Sequence, residues 1–205
     1  MFIRGTGRCF GGRGQRNRLG RDERERGAAL VETAILIPVV LLITFGLIEF
    51  SSAYQGAATV SGSARSAART ASAEALLSGY ATDAAAAAST ALQGVPANEP
   101  IEMWVYRAND KGYPGADGVT SFATCATKCI SYQWVQATRK FNTATPGGSG
   151  WPAASQKACS PAEWDSVGVF IKLRHRYITK LFGTTIDLTD HAVFRLEPAP
   201  TQLCP

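Results

Sequence analysis

Three residues at the start of an apolar run, Gly27, Ala28 and Glu32, have types and spacing that suit one particular chemistry. Cleavage after Gly27 would leave Ala28 as a new, positively charged amino terminus, with Glu32 as the fifth residue of the shortened chain. In the core of an assembly, that amino group can pair with the Glu32 carboxylate of a neighbouring subunit. Such a pair offsets the cost of burying either charge and fixes the register between subunits. The simpler alternative is that Glu32 reaches the membrane interface, where a carboxylate costs less than at the bilayer centre.

Cysteines offer a second kind of chemistry. Four of the five lie beyond the apolar run, and an even number in an oxidising compartment predicts two disulfides with three possible pairings; they are Cys125, Cys129, Cys159 and Cys204. A Cys125–Cys129 bond would close the tightest loop, so we favour Cys129 with Cys159 and Cys125 with Cys204. A four-cysteine zinc site is the alternative, but the spacing contains no second close pair. The fifth, Cys9, precedes the run and is expected to stay reduced.

Two further groups could bind metal. His175 and His191 lie on predicted strands that could be adjacent, with Asp187 or Asp190 nearby, but their surroundings favour ordinary packing. A turn-rich stretch could bind calcium, yet it lacks the Asp-rich repeat of a calcium loop, and turn formation explains it better; its polar residues are Asn109, Asp110 and Asp117. We therefore expect no bound metal.

Nothing in the sequence predicts an enzyme. Gly-x-Ser-x-Gly and His-Glu-x-x-His motifs are missing, and the stretch GGRGQRNRLG lacks the Lys-Ser/Thr ending of a phosphate loop. Four tryptophans could form a carbohydrate platform, but dispersed Trp in a small disulfide-bonded domain is more often core; they are Trp104, Trp134, Trp151 and Trp164. We expect neither catalytic activity nor a cofactor, and a secreted hydrolase would need a polar cleft that no motif indicates.

The net charge of +5 is confined to the first 27 residues, which hold eight Arg against three acidic residues, whereas residues 28–205 hold 13 basic and 13 acidic residues. The body of the protein therefore gives no support for a phosphate-binding groove, and nucleic acid is excluded as an expected partner. The basic leader, with seven Gly, has little to bury and is predicted to be disordered.

The apolar run 28–50 is long enough to cross a bilayer, which needs about 20 residues. The Arg-rich leader before it predicts a cytoplasmic amino terminus and an extracytoplasmic remainder, by the positive-inside rule. A signal peptide normally has a shorter apolar core and an A-x-A-like cut after it, whereas this run contains Glu32 and Pro38. We expect a retained single-pass anchor; the alternative is a secreted or simply anchored disulfide-bonded binding domain.

Beyond the run, the pattern predicts an α+β fold. The membrane helix is expected to continue as an Ala-rich helix ending near Ser78-Gly79, followed by a second helix that Asp83 caps and that ends near Gln93. Alternating apolar residues then predict a small antiparallel sheet of three or four strands, at 101–106, 129–138, 167–178 and 185–197. The predicted divisions are a leader at 1–27, a transmembrane helix at 28–50, Ala-rich helices at 51–95 and an ectodomain at 96–205.

The segment RERGAALVETAILIPVVLLITFGLIEF resembles the amino-terminal motif of TadE-like proteins, pseudopilins or minor pilins of tight-adherence (Tad, Flp) pilus systems. The likeness lies in Gly27, Glu32, Pro38 and the small-residue stretch 63–69, and the closing strand pair at 167–198, ending in Arg-x-Glu-Pro, is also similar. The resemblance implies processing by an aspartic prepilin peptidase and a role in pilus assembly and surface adhesion. It further implies cooperation with other Tad pilins, TadE- and TadF-like subunits and the inner-membrane assembly platform, in contact with membrane lipid.

Overall fold

A computed structural model describes residues 16–93, 98–144, 150–180 and 183–204, with side chains from residue 27 onward. The chain separates into two units, residues 1–48 and 49–205, and their boundary falls inside the first helix. That helix, α1, covers Arg16–Ala73. It begins earlier than the predicted start at Ala28, so part of the leader predicted to be disordered is helical. Residues 16–26 are rich in Arg and Glu and contain no proline, and extending an existing helix is far easier than starting one. Residues 1–15 and Cys9 lie outside the described residues.

Helix α1 also ends earlier than predicted, at Ala73, and a short turn leads to helix α2, Tyr80–Ala91. Within this turn Leu76 has a left-handed φ of 67°, and its N–H donates to Oε1 of Gln156 at 2.8 Å. Gly79 is the residue that precedes α2, and Asp83 lies in the first turn of that helix rather than capping it. The predicted cap was therefore misplaced by one helical turn.

Five antiparallel strands form one sheet, in the spatial order β3-β2-β1-β4-β5. Their bounds are β1 Asn98–Ala108, β2 Cys129–Val135, β3 Lys140–Thr143, β4 Ser166–Arg176 and β5 Thr185–Arg195. The predicted α+β class with a long amino-terminal helix is confirmed. The predicted strand count was too low because β3 is short. This strand depends on partners outside its own four residues: it pairs with β2, and the N–H of Phe141 donates to Ser89 Oγ at 3.0 Å.

The main core lies between one face of the sheet and the helices. Alanines supply the helical side of this core and are almost fully buried, including Ala64, Ala67, Ala68, Ala71, Ala84 and Ala88. Larger side chains come from the sheet, such as Met103, Val105, Ile171 and Leu173. Small residues on the helices let the backbones approach closely, so much of the apolar bulk of the core is contributed by the strands.

The opposite face of the sheet has a smaller aromatic cluster. Trp104, Tyr106 and Phe170 are buried there, and Phe122 from the β1–β2 connection covers them, with its ring centroid 4.4 Å from that of Phe170. Part of this connection was predicted only as a turn-rich stretch. In the structure, this connection covers a second hydrophobic cluster.

Candidate functional site

The residues with the predicted processing and assembly roles lie on α1 in the first unit. Among the described residues, a Cβ atom at Gly27 would have no neighbour within 4 Å apart from its own helix backbone, and Ala28 and Glu32 are exposed. Pro38 lies inside the helix, which continues past it. Because proline has no N–H, it removes one hydrogen bond from the helix, a loss that membrane helices tolerate. All four positions are therefore exposed on the described part of α1.

Apolar side chains on this part of α1 have no cover from the described protein. Leu30 is 71% exposed, Ile35 65% and Leu47 65%. One helix among the described residues is long and apolar enough to cross a membrane, and its most apolar 18-residue window has a mean hydropathy of 2.4 with none of it buried. The hydroxyls of Thr33 and Thr44 donate to the carbonyls of Ala29 and Val40 at 2.7 and 2.8 Å, which satisfies them within the helix. This surface supports membrane anchoring.

Glu49, at the end of the apolar run in α1, has entirely different surroundings. Its side chain is buried, and its carboxylate accepts hydrogen bonds from the N–H of Ile178 at 3.0 Å, from the N–H of Thr179, and from the Thr179 hydroxyl at 2.7 Å. Three donors replace the water that a buried carboxylate would lose. The sequence shows Glu49 as an acidic residue at the end of an apolar run, but only the fold shows the turn after β4 that binds it.

Two disulfides join the four predicted cysteines, but the pairing we favoured was wrong. Cys125 bonds to Cys129, and Cys159 bonds to Cys204. The left-handed conformation of Lys128, with a φ of 48°, bends the chain so that the Cα atoms of Cys125 and Cys129 lie 5.3 Å apart, within the range that disulfides require. The second bond ties the carboxyl-terminal segment to the loop before β4.

The histidines do not form a shared site. His175 is opposite Ile186 in the β4–β5 register and His191 is opposite Phe170, so five residue positions separate them along the strands. The Nδ1 of His175 lies 2.7 Å from Asn98 Oδ1, while His191 packs against the rings of Tyr113 and Phe122. Among the described residues no group of three His, Cys, Asp or Glu side chains is placed to hold a metal ion.

The turn-rich stretch for which calcium binding was the weaker alternative is held together by its own hydrogen bonds. Asn109 Oδ1 accepts from the N–H groups of Lys111 and Tyr113, both at 2.9 Å, and Asp110 Oδ1 accepts from the N–H of Gly118 at 3.2 Å. The last bond is the largest cause of a lowered pKa of Asp110. These side chains stabilise turns.

The tryptophans are dispersed. Trp151 is fully buried beside Tyr80, whose hydroxyl donates to the Trp151 carbonyl at 2.6 Å, and Trp104 lies in the aromatic cluster of the opposite face. Trp134 packs against Phe141, and the guanidinium of Arg195 lies 4.8 Å from the ring centroid of Trp164. The four rings do not form a common binding platform.

These features define a chain with an uncovered apolar amino-terminal helix and a disulfide-bonded α+β domain. Residues 27–69 match the family model of TadE-like proteins, which confirms the resemblance expected from the sequence over this segment. The matched segment contains Gly27, Ala28, Glu32 and Pro38. No curated protein matches the chain, and no solved structure does.

Proposed function

We propose that this chain is a membrane-anchored TadE-like pseudopilin or minor pilin that acts in Tad pilus assembly and surface adhesion. The observation that carries the proposal is that the segment matching the TadE-like family contains an apolar helix surface that no described part of the protein covers. A lipid bilayer covers such a surface before assembly, and neighbouring apolar helices can cover it in a filament. The role is structural rather than catalytic.

In this proposal a prepilin peptidase cuts between Gly27 and Ala28. Both residues lie within α1, so the peptidase has to unwind the helix locally to reach the scissile bond. Glycine eases that step, because a glycine in a helix interior costs about 1 kcal/mol relative to alanine. No described side chain lies within 4 Å of a Cβ atom built at Gly27, which leaves the bond open to approach from that side.

After the cut, the amino group of Ala28 pairs with Glu32 of an adjacent subunit and sets the register between the two. The exposure of Glu32 in the isolated chain supports this role, since an intramolecular partner would compete with the neighbour. The expected partners are other Tad pilins, TadE- and TadF-like subunits and the inner-membrane assembly platform. The domain from Glu49 onward then lies outside the cytoplasm, where its disulfides form.

Amino-terminal sequencing of the protein purified from membranes of cells with a complete Tad system tests the proposal. A start at Ala28 is the expected result. A start at Met1 would indicate a simple single-pass anchor, and a start beyond Phe50 would indicate a secreted disulfide-bonded domain. Either of these results overturns the pseudopilin proposal.

A further inference from the structure

The turn after β4 carries an exposed apolar side chain at a fixed place on the chain. Ile178 is 62% exposed, although its N–H is bound to the buried carboxylate of Glu49. Because that carboxylate also binds the N–H and the hydroxyl of Thr179, the turn is fastened to α1 at one residue. Glu49 lies at the end of the apolar run in sequence. The turn therefore lies beside the end of the apolar run.

Two aromatic residues of α1 are exposed near the same point. Phe50 is 73% exposed and Tyr54 70%. With a rise of about 1.5 Å per residue, they lie about 1.5 and 7.5 Å beyond Glu49 along the helix axis. The headgroup layer of one leaflet is about 5–7 Å thick, taken as half the difference between the whole bilayer and its hydrocarbon core. Phe50 and Tyr54 thus cover the depth of one headgroup layer.

We infer that Phe50, Tyr54, Ile178 and Lys180 form an interfacial patch that binds the surface of the bilayer in which α1 is anchored. The inference rests on the proposed membrane anchoring. It adds that the folded domain itself, through the turn after β4, contacts lipid. Continuity with the apolar helix assigns the patch to lipid, because a helix that leaves a membrane at Glu49 places this turn in the headgroup layer.

The chemistry of the patch matches that layer. Tyrosine has an apolar ring and a polar tip and is enriched at membrane interfaces, and the exposed ammonium of Lys180 can reach lipid phosphates. Glu49 would be costly beside lipid if it were unpaired, but its three donors satisfy it within the protein. The buried acid thus allows the turn to lie at the membrane surface without exposing a carboxylate to it.

Tryptophan fluorescence in vesicles tests the inference with the full chain. Ile178→Trp is reconstituted in phosphatidylcholine and phosphatidylglycerol, with and without lipid brominated near the headgroup end of the acyl chain, and the parent signal is subtracted. The fluorescence of the introduced tryptophan should fall by roughly half in the vesicles with brominated lipid, because interfacial side chains reach about 5–10 Å into the headgroup and acyl boundary. A protein-facing patch would leave it unquenched.

Two matched variants make the result decisive. Leu203 is 41% exposed and lines the same cavity as Leu76, which lies just beyond the far end of α1. Because α1 extends about 36 Å from Glu49 to Ala73, the signal of Leu203→Trp should not change. Phe50→Trp reports the anchor itself and should be quenched. Quenching of Phe50→Trp without quenching of Ile178→Trp overturns the inference alone. Failure of both Phe50→Trp and Ile178→Trp overturns the membrane anchoring as well, and equal quenching of Leu203→Trp overturns a specific patch.

Discussion

The N–H of Ile178 donates a 3.0 Å hydrogen bond to the carboxylate of Glu49, across 129 residues of sequence. This bond joins the first residue of the folded unit to the turn between its last two strands. An acidic residue at the end of an apolar run therefore has an internal structural role. Glu32, at the other end of the run, is exposed and available to another molecule.

Glu49→Ala should loosen the turn after β4. The substitution removes the acceptor of both N–H groups and of the Thr179 hydroxyl, so amide hydrogen exchange at Ile178 and Thr179 should speed up by roughly tenfold, the factor expected for one lost internal hydrogen bond. Glu163→Ala is the control, because Glu163 is exposed and its ion pair with Lys157, at 3.0 Å, is a surface pair. Unchanged exchange at both amides in Glu49→Ala would show that the turn is held by other contacts.

The two disulfides should contribute unequally to stability. In the chain-entropy description, closing a loop of 45 residues is worth about 4 kcal/mol and one of four residues about 2 kcal/mol. The double variant Cys159→Ser with Cys204→Ser should therefore lose more free energy of unfolding than Cys125→Ser with Cys129→Ser. Urea unfolding of both variants measures the difference. The reverse order would mean that the short loop stabilises the aromatic cluster more than it constrains the unfolded chain.

Glu74→Gln should stabilise the protein at neutral pH. Burial raises the pKa of Glu74, and the nearby charge of Asp83 and a hydrogen bond with it raise it further. For a carboxyl whose folded pKa is raised, the stabilising contribution is complete below the ordinary value near 4.5 and is lost as the pH rises through the folded pKa. Urea unfolding across this range should show the gain of Glu74→Gln over the parent growing with pH.

Asp187→Asn provides a control of opposite sign for that titration. The hydrogen bond from Arg174 is the largest cause of the lowered pKa of Asp187, and Lys172 adds to it. The stabilising contribution of Asp187 is therefore present above its ordinary value near 3.8 and is lost as the pH falls through the folded pKa. The loss of stability in Asp187→Asn should be small, because the ion pair of Asp187 with Arg174 is largely exposed. A parallel pH profile for Glu74→Gln and Asp187→Asn would contradict both assignments.

Gly168→Ala should destabilise the sheet. Gly168 lies opposite Tyr106 in the β1–β4 register, and a Cβ atom there would overlap the tyrosine ring. The ring cannot move freely, because its hydroxyl donates to the Gly112 carbonyl at 2.9 Å. Overpacking of this kind costs about 1–3 kcal/mol. Gly62→Ala is the matched control: with no atom within 4 Å and a helical position, it should gain about 1 kcal/mol. Thermal unfolding that ranks the two variants otherwise would refute this packing.

The sequence predicted the elements whose signals are local. Strict alternation placed β4 and β5 within two residues of their observed ends, and the apolar run identified the anchor. It missed β3, whose four residues are too few for a periodic pattern and which depends on β2 and Ser89. It also missed the cover that Phe122 gives to the outer face, because residues in a turn-rich connection carry no periodic signal.

For the candidate site, too, the sequence was informative only where the signal is local. Gly27, Ala28 and Glu32 were found by spacing along one helix, and their proposed roles follow from sequence and exposure. The disulfide pairing depended on a left-handed turn at Lys128, which sequence spacing does not reveal. The role of Glu49 depended on a strand connection 129 residues away. Local spacing was therefore sufficient to propose a processing motif and insufficient to predict long-range contacts.

Processing and assembly should respond to different substitutions. Gly27→Leu should leave full-length precursor in the membrane, because a peptidase that seats the junction before the membrane helix has room for only a very small residue at the cut. Gly62→Leu is the control, a second α1 glycine with no neighbour within 4 Å, and it should be cleaved normally. Immunoblots that resolve precursor from mature protein measure both. Normal maturation of Gly27→Leu would place the cut elsewhere.

Glu32→Gln keeps the size of the side chain and removes its charge. Cleavage should remain largely intact, whereas pilus yield and surface attachment should fall, because the amino group of Ala28 loses its ionic partner in the neighbouring subunit. Glu163→Gln, a change of the same kind at an exposed position of the folded domain, should leave both unchanged. If Glu32→Gln assembles as well as the parent, the carboxylate does not set the register between subunits, and Glu32 serves only as a polar residue at the membrane edge.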